Sequence, residues 1–402
     1  MPDLGRELRR IEIPGAAASE DRAWRLLDAA YEERGAERAP MPGWPRRRLR
    51  WLATSVLTLI VGAAVAWTPA GAAVREWIGD AIDDVGEPDA RPVLTHLPAP
   101  GSLLVQSNIG IAVVHEDGSR RILGDFDEAG WSPYGLYVAA ADGRQLKAIS
   151  ADGELRWSVT RSRISDPVWS PNEGYRVAYR SGGQLRVIWG DGTNDAAIGG
   201  AAGVAAAWQP RTGSRNVLAY ADRNGRVKVV DTDSGRVLAR AGSFDVPVEL
   251  DWTRDGSRLL VLYRDSMQVV DGDGRALWRS KFPPDQTAAG AAFVPGTEAV
   301  AALLRGTGPH SASRIVLADP LHGDVVKRTI FTGTGRLRGL VPAPDGRELM
   351  VGWPKADQWL FIPTLRSNQI AAVDNIRRQF ADGSGAGFPR VDGWCCQNRA
   401  GD

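Results

Sequence analysis

One short motif recurs along the chain and limits the folds available to it. Its first clear copy is Trp131-Ser132-Pro133-Tyr134-Gly135, which leads into the apolar run Leu136-Tyr137-Val138-Ala139-Ala140. Further copies begin at Trp169, Trp208, Trp252, Phe293 and Pro342. Successive copies therefore lie 38, 39, 44, 41 and 49 residues apart, which is close to the period of about 40 to 50 residues expected for four-stranded propeller blades.

Each copy predicts a strand, a tight turn and a second strand. Ser can bond locally at the first turn position, Pro presets φ at the second and Gly closes the fourth, which favours a type I turn. Later turn signals such as Asp142-Gly143 and Asp152-Gly153 bound short apolar runs such as Leu146-Lys147-Ala148-Ile149. Trp157 and Trp278 both lie 26 residues after a repeat aromatic. Four strands per unit and an all-β fold, the β-propeller, are predicted.

The motif resembles the bacterial TolB/WD40-like propeller repeat, an aromatic residue followed by Ser-Pro-Asp-Gly and an apolar strand. Six units match this pattern over about residues 125–380, three of them well and three loosely. The resemblance implies a propeller that binds partners and implies no reaction. The Gly-His and Trp-Asp signature of eukaryotic WD40 repeats is absent.

The two ends of the repeat region complement each other. Strand-like runs at residues 102–105, 111–115 and 120–123 have no repeat aromatic before them, whereas Phe388-Pro389-Arg390-Val391-Asp392-Gly393-Trp394 reads as a first strand with nothing after it. A propeller must hide its terminal edges, and a blade shared between the chain ends does so. We therefore predict seven blades over residues 102–394, with a six-bladed ring as the alternative.

A helix with one apolar face is predicted near the N-terminus, within a cytoplasmic segment of residues 1–50. Ser19 is a suitable N-cap, and Glu20 and Asp21 suit the first turn. The apolar face consists of Ala23, Leu26, Leu27, Ala30 and Tyr31. It has no partner within so short a segment, so we interpret it as a docking site for another protein. Packing against a second copy or the membrane surface, or a marginal helix, are the alternatives.

A single membrane span is predicted over residues 51–74. This stretch is uncharged, has Trp51 and Trp67 near the positions of the interfaces, and can cross a hydrocarbon core of about 30 Å. The basic residues that precede it are Arg46, Arg47, Arg48 and Arg50. They place the N-terminus in the cytoplasm and the propeller outside it. A buried core helix, or cleavage after Ala70-Gly71-Ala72, are the alternatives.

Residues 75–101 are predicted to connect the span to the propeller. Apolar residues between Ala73 and Val85 recur at helical spacing, which favours a helix along the outer membrane surface or against the propeller. The acidic, proline-containing segment from Asp83 to Pro100 is interpreted as a stalk.

The chemistry of the chain favours binding over catalysis. Its net charge of +1 gives no electrostatic case for nucleic acid. The four histidines, His96, His115, His310 and His322, lie in different units and are interpreted as surface or turn residues. The acidic runs 231–235 and 271–274 superficially match calcium loops but lack the later bidentate Glu, so we interpret them as turns. We predict no catalytic, metal or cofactor site, and no enzyme.

Tryptophans are abundant, and two cysteines stand near the C-terminus. The repeat tryptophans and Trp189, Trp353 and Trp359 are interpreted as inter-blade core and rim rather than a ligand cage. Cys395 and Cys396 begin a tail of residues 395–402, and outside the cytoplasm thiols tend to oxidise. A vicinal disulfide, a bridge to a second chain and two free thiols are all open, and we favour a disulfide.

These features together predict a single-pass membrane protein. Its propeller would act as a sensing module for a protein or another ligand, and its N-terminal helix would signal to a cytoplasmic protein. This plan resembles membrane-anchored anti-sigma regulators, although residues 1–50 lack the zinc-binding His/Cys motif of that class. A passive TolB-like envelope scaffold is the alternative, and an extracytoplasmic propeller enzyme is a third.

Overall fold

The computed structural model describes residues 89–396, apart from 92, 173–174, 214, 243–244, 309–310, 321–327, 366–368 and 382–386. The predicted amphipathic helix, the membrane span at 51–74 and the juxtamembrane helix lie outside the described residues. Within the described part of the chain, no helix is long and apolar enough to cross a membrane.

The described chain is almost entirely β-structure. The first strands are β1 (Asp89–Arg91), β2 (Ser102–Ser107), β3 (Gly110–Val114) and β4 (Arg120–Gly124). They are followed by β5 (Glu128–Trp131), β6 (Tyr137–Ala141), β7 (Gln145–Ser150) and β8 (Leu155–Thr160). Next come β9 (Ile164–Trp169), β10 (Arg176–Ser181), β11 (Gln184–Trp189) and β12 (Ala196–Gly200). The fourth group is β13 (Ala207–Trp208), β14 (Val217–Ala221), β15 (Val227–Asp231) and β16 (Val237–Ala241).

The second half continues the same pattern. It begins with β17 (Glu249–Trp252), β18 (Arg258–Leu262), β19 (Ser266–Asp271) and β20 (Ala276–Lys281). Then come β21 (Gln286–Phe293), β22 (Val300–Gly306), β23 (Ala312–Ala318) and β24 (Arg328–Thr334). The last strands are β25 (Arg338–Pro342), β26 (Glu348–Trp353), β27 (Gln358–Pro363) and β28 (Ala371–Val373), followed by helix α1 (Ile376–Gln379) and β29 (Arg390–Cys395).

These strands form seven sheets, which are the blades of the propeller and are antiparallel except for β1. Blades 2 to 7 are consecutive meanders that begin at β5, β9, β13, β17, β21 and β25. Blade 1 has the order β29-β2-β3-β4, so its inner strand comes from the C-terminal end of the fold. Trp394 pairs there with Leu103. The prediction of seven blades, one of them shared between the chain ends, is confirmed, and the six-bladed alternative is wrong.

The predicted stalk differs from the structure over its C-terminal half. Strand β1 runs parallel to β28 and adds a fifth, outer strand to blade 7. Leu94, Leu97 and Ala99 are buried in the core cluster that joins blade 7 to blade 1. A free stalk would leave these apolar side chains in water, and burying each Leu contributes roughly 1.5 to 3 kcal/mol.

The core of the fold lies between neighbouring blades. The seven large clusters of buried apolar side chains each combine residues of two consecutive blades. The repeat tryptophans take part in these interfaces: Trp252 Nε1 donates to the Ala207 oxygen at 3.1 Å, and Trp208 Nε1 donates to the Val168 oxygen at 3.0 Å. The repeat aromatic thus bonds each of these blades to the preceding one.

The repeat turn closes as its residue types predict, with one difference in turn type. Ser132 Oγ accepts a hydrogen bond from the Tyr137 amide at 2.8 Å, and the Gly135 amide donates to the Ser132 oxygen at 3.1 Å. Tyr134, however, has φ 66° and ψ 5°, the values of the third position of a type II turn. The type I prediction is therefore wrong at this copy.

The first turns of several blades lie on one face of the ring, which we call the turn face. Asn172 Nδ2 of blade 3 donates to the Gln209 oxygen of blade 4 at 2.8 Å. Gln209 Nε2 in turn donates to the Gly256 oxygen of blade 5 at 2.7 Å. Because each blade is a meander, the turn between its third and fourth strands emerges on the same face.

Candidate functional site

A cleft of about 590 Å³ opens on the turn face between blades 2 and 3. Six aromatic side chains line it, namely Tyr134, Tyr137, Trp157, Trp169, Tyr175 and Trp189. Tyr134 and Tyr175 come from the first turns of the two blades. The other four lie on strands: Tyr137 on β6 and Trp157 on β8 of blade 2, and Trp169 on β9 and Trp189 on β11 of blade 3. We call this feature the aromatic cleft. Its volume is in the range of about 300 to 1,000 Å³ that is common for ligand sites.

The rim of the aromatic cleft exposes large apolar side chains to solvent. Tyr134, Tyr175 and Trp189 are 61%, 48% and 41% exposed, and they are the exposed large aromatic side chains among the described residues. Leu136, 61% exposed, lies beside them. A contiguous apolar patch of this kind marks a site of interaction more often than scattered single residues do.

Two rim residues also have an unusual backbone conformation. Tyr134 has φ 66° and Tyr175 has φ 37°, in a region that side chains other than Gly rarely adopt. Backbone strain of this kind costs about 1 to 3 kcal/mol. Seven other non-Gly residues among those described also have positive φ, so this conformation fixes the position of the two tyrosines but does not by itself mark a binding site.

Rigid packing forms the floor of the aromatic cleft. Trp169 is buried and stacks on Tyr137, with 6.4 Å between the ring centroids. Trp157 Nε1 donates to the Gly190 oxygen at 2.7 Å, which ties blade 2 to blade 3. A Cβ atom on Gly192, which has φ 84°, would lie 2.8 Å from the Trp157 ring. Glycine at 192 therefore lets the ring lie against the backbone of the neighbouring blade.

Charged groups surround the aromatic cleft in pairs. The Arg156 guanidinium lies 5.9 Å from the centre of the Tyr137 ring and 3.0 Å from Glu154. Arg176 lies 4.4 Å from the centre of the Trp189 ring and 3.3 Å from Asp233. The hydroxyl and amide of Thr193 donate to Asp191 at 2.7 and 2.9 Å.

The hydrogen bonds from Thr193 hold the pKa of the Asp191 carboxyl below its usual value. Asp191 is therefore an anion at neutral pH. The site combines an apolar interior with charges at fixed places on its rim, which suits recognition. No nucleophile with an adjacent base lies among its lining residues.

Cys395 and Cys396 lie beside the first turn of blade 2. Their Sγ atoms would be 3.7 and 3.5 Å from a Cβ on Gly135, and the two sulfurs are adjacent, as a vicinal disulfide requires. The disulfide itself stays a prediction. The turn at residues 132–135 therefore contacts the closing strand β29 on one side and lines the aromatic cleft on the other.

The sequence predictions placed function elsewhere. Two predicted sets lie outside the described residues: the helix face Ala23, Leu26, Leu27, Ala30 and Tyr31, and the topology residues Arg46, Arg47, Arg48 and Arg50. Trp359 is fully buried in core, and Trp353 packs edge-on against Phe331. Trp189, for which the sequence predicts a position in the core or at the rim, lines the aromatic cleft.

Other candidates from the sequence have structural roles. Asp231 Oδ1 accepts from the amides of Asp233 and Ser234, each at 3.1 Å, so this carboxylate closes a turn. Of the four histidines, His96 and His115 are described. Among the residues that the structure describes, no group of three or more His, Cys, Asp or Glu side chains is arranged to hold a metal ion.

Comparison with known proteins adds no family. No protein-family model matches this chain, and no curated protein matches it. Among solved structures, the β-propeller domain of Myceliophteria thermophila Cps50 (Swd1) has 15% identity and a TM-score of 0.48, over 63% of this chain and 94% of that one. Kluyvelomyces marxianus Hsv2 has 10% identity and a TM-score of 0.48, over 67% and 91%. Kuenenia stuttgartiensis hydrazine synthase has 12% identity and a TM-score of 0.45, over 71% and 84%.

At these identities and TM-scores, nothing about ligand or activity transfers to this chain. The fold assignment rests on the strand order, which defines a seven-bladed β-propeller. The resemblance to WD40-like repeats is supported at the level of this fold. Membership of the TolB family and membrane anchoring stay predictions.

Proposed function

We propose that this protein is an interaction module that holds a segment of a partner protein in the aromatic cleft. The observation that supports the proposal is the concentration of exposed aromatic side chains at Tyr134, Tyr175 and Trp189 around one cleft. Tyr and Trp supply much contact area with few rotatable bonds, and they are common among the residues that dominate binding energy. We assign no catalytic step, and we propose that the protein is not an enzyme.

A peptide array tests this proposal directly. Full-length protein applied to an array of random-sequence peptides should select peptides with a shared motif. The Tyr134→Ser/Trp189→Ala variant should lose that selection, because truncating anchors of this kind typically costs 2 kcal/mol or more, about thirtyfold in affinity. Trp353→Ala, on a different blade, serves as the matched control. A motif that survives the double substitution would place the binding surface elsewhere on the propeller.

We further propose that residues 51–74 anchor the propeller outside the cytoplasm. The basic residues Arg46, Arg47 and Arg48 before an uncharged stretch support this topology. Reporter fusions should place residue 40 inside and residue 100 outside, and changing the three Arg to Ser should weaken or invert this orientation. Fusions with the reverse pattern would refute the sensing arrangement.

In the same arrangement, the N-terminal helix would dock a cytoplasmic protein through Leu26 and Leu27. Replacing both with Asp should reduce capture of that protein by a factor of hundreds, because burial of each Leu contributes roughly 1.5 to 3 kcal/mol. If wild-type residues 1–50 capture nothing specific, the passive TolB-like scaffold becomes the better account.

A further inference from the structure

We infer that the aromatic cleft selects a positively charged side chain, a Lys or Arg of the partner protein. This inference rests on the proposed function and names the chemistry of its ligand. Six aromatic rings line the cleft. The faces of such rings carry negative potential and attract ammonium and guanidinium groups. A basic side chain also has an apolar stem that an aromatic wall can cover.

Rings at this site already interact with cations. The guanidinium groups of Arg156 and Arg176 lie over Tyr137 and Trp189 at 5.9 and 4.4 Å from the ring centres. These two faces are covered by the chain's own cations, and they show that a planar cation can stack on rings at this site. A partner's Lys or Arg would use the ring surface that Tyr134, Tyr175 and Trp189 still expose.

The charge around the aromatic cleft favours a cation over an anion. Arg156 and Arg176 are each paired with a carboxylate, Glu154 at 3.0 Å and Asp233 at 3.3 Å. Asp191 contributes a third carboxylate on the lining of the cleft. The lining itself carries one guanidinium, that of Arg156, and one carboxylate, that of Asp191. Because Glu154 pairs with Arg156, Asp191 is the charged group of the lining that can pair with a cationic ligand.

The size of the aromatic cleft favours a side chain on a peptide over a small free cation. At about 590 Å³ it has room for more than one ammonium group. Tyr134, Leu136 and Tyr175 expose apolar surface around it, where residues that flank the basic side chain can pack. A partner segment would contact both the aromatic rings and the apolar rim, whereas a free cation such as choline would contact only the rings.

Peptide pairs that differ only in charge test the inference. Blocked pentapeptides with a central Lys are compared with norleucine, and peptides with Arg are compared with citrulline, by titration into full-length protein with tryptophan fluorescence as the signal. The cationic member of each pair should bind at least about fivefold more tightly, since one favourable cation–π contact with partial desolvation contributes that much. Choline is titrated as the free-cation arm.

Two substitutions identify the groups responsible. Trp189→Leu keeps an apolar side chain without a ring face, and it should reduce the preference for Lys over norleucine to less than about twofold. Asp191→Asn removes the carboxylate of the lining from an exposed side chain and should reduce the same preference without weakening the norleucine peptide. Trp353→Leu is the control and should leave every affinity unchanged.

The outcomes separate this inference from the proposed function. If Lys and norleucine peptides bind equally, and Trp189→Leu weakens both, the aromatic cleft is a binding site without charge selection and the inference is wrong. Tight binding of choline without binding of either basic peptide also overturns it. If no peptide of the array binds, the proposed function fails as well.

Discussion

The carboxylate of Asp251 in blade 5 accepts a hydrogen bond from the Phe293 amide of blade 6 at 2.8 Å. Glu249, two residues earlier on the same inner strand, accepts from the Ala291 amide at the same distance. Burial raises the pKa of each carboxyl to about 7, and the neighbouring Asp251 charge adds to the shift at Glu249. Each residue as a whole is partly exposed at the inner edge of the ring, but its carboxyl group is surrounded by protein atoms. Two titrating groups therefore join this pair of blades.

These pKa values predict that stability falls as the pH rises. Between about pH 4 and 7 the folded state keeps protons that the unfolded state has lost, so the free energy of unfolding decreases over this range. Asp251→Asn keeps an acceptor for the Phe293 amide and cannot titrate. We expect it to stabilise the protein at pH 8 by about 1 to 2 kcal/mol, less than the full shift implies because Asp251 is only partly buried and solvent screens part of its charge.

Urea unfolding from pH 4.5 to 8 measures this effect. The Glu249→Gln/Asp251→Asn variant should show a flatter dependence of stability on pH than the wild type. Asp273→Asn, at an exposed turn of the same blade, is the control. Parallel curves for the wild type and the double variant would show that these carboxyls do not control the pH dependence.

Ring closure predicts a second effect on stability. Trp394 of the closing strand is buried, donates from Nε1 to the Pro100 oxygen at 3.1 Å and packs against Phe361. Trp394→Ala should lower the free energy of unfolding by about 3 to 5 kcal/mol. Removing residues 388–402 should lower the melting temperature further and promote aggregation, because β2 becomes an open edge.

Removal of residues 397–402 alone is the control for this truncation. It leaves β29 in place and should change neither melting temperature nor aggregation. Thermal unfolding of the full chain and of both shortened chains compares the three. An unchanged melting curve for the longer deletion would mean that β29 does not support the ring.

Two glycines separate backbone strain from steric contact: Gly256 in the repeat turn of blade 5, and Gly235 in the turn between β15 and β16 of blade 4. Gly256 and Gly235 have φ 72° and 70°, but only at Gly256 would a Cβ meet a neighbour, the Pro210 oxygen at 2.2 Å. Gly235→Ala should cost about 1 to 2 kcal/mol from backbone conformation alone. Gly256→Ala should cost clearly more, because blade 4 must also move. If chemical denaturation shows equal losses of stability for the two variants, the contact between Gly256 and blade 4 does not contribute to the cost.

The sequence predicts the fold well where the same local motif recurs along the chain. The spacing of the repeat aromatic residues and of the turns after them predicts the blades and their phase, although three of the six copies keep the turn residues only loosely. The closing strand at Trp394 could be recognised for the same reason. Residues 93–100 offered no such signal, since Leu94 and Leu97 stand among prolines without strand or helix periodicity.

The aromatic cleft could not be predicted because no single segment contains it. Tyr134, Trp157 and Trp189 are distant in sequence and meet only when blades 2 and 3 pack side by side. One hint was present: a Tyr within the turn 132–135, and a Trp directly before the turn Gly190-Asp191-Gly192, put large apolar groups where turns are usually polar. Their conformations, with φ 66° at Tyr134, depend on the folded ring.

Cys395 and Cys396, at the end of β29, have adjacent sulfurs that lie against Gly135. If the propeller is outside the cytoplasm, we expect a disulfide between them, because oxidising compartments favour that state. Alkylation of unfolded protein without reductant should then modify neither cysteine, and reduction beforehand should expose both. Cys395→Ser should leave Cys396 open to alkylation in a monomer. A dimer of the wild type on a non-reducing gel would instead indicate a bridge to a second chain, and two reactive thiols in unreduced wild type would contradict any disulfide.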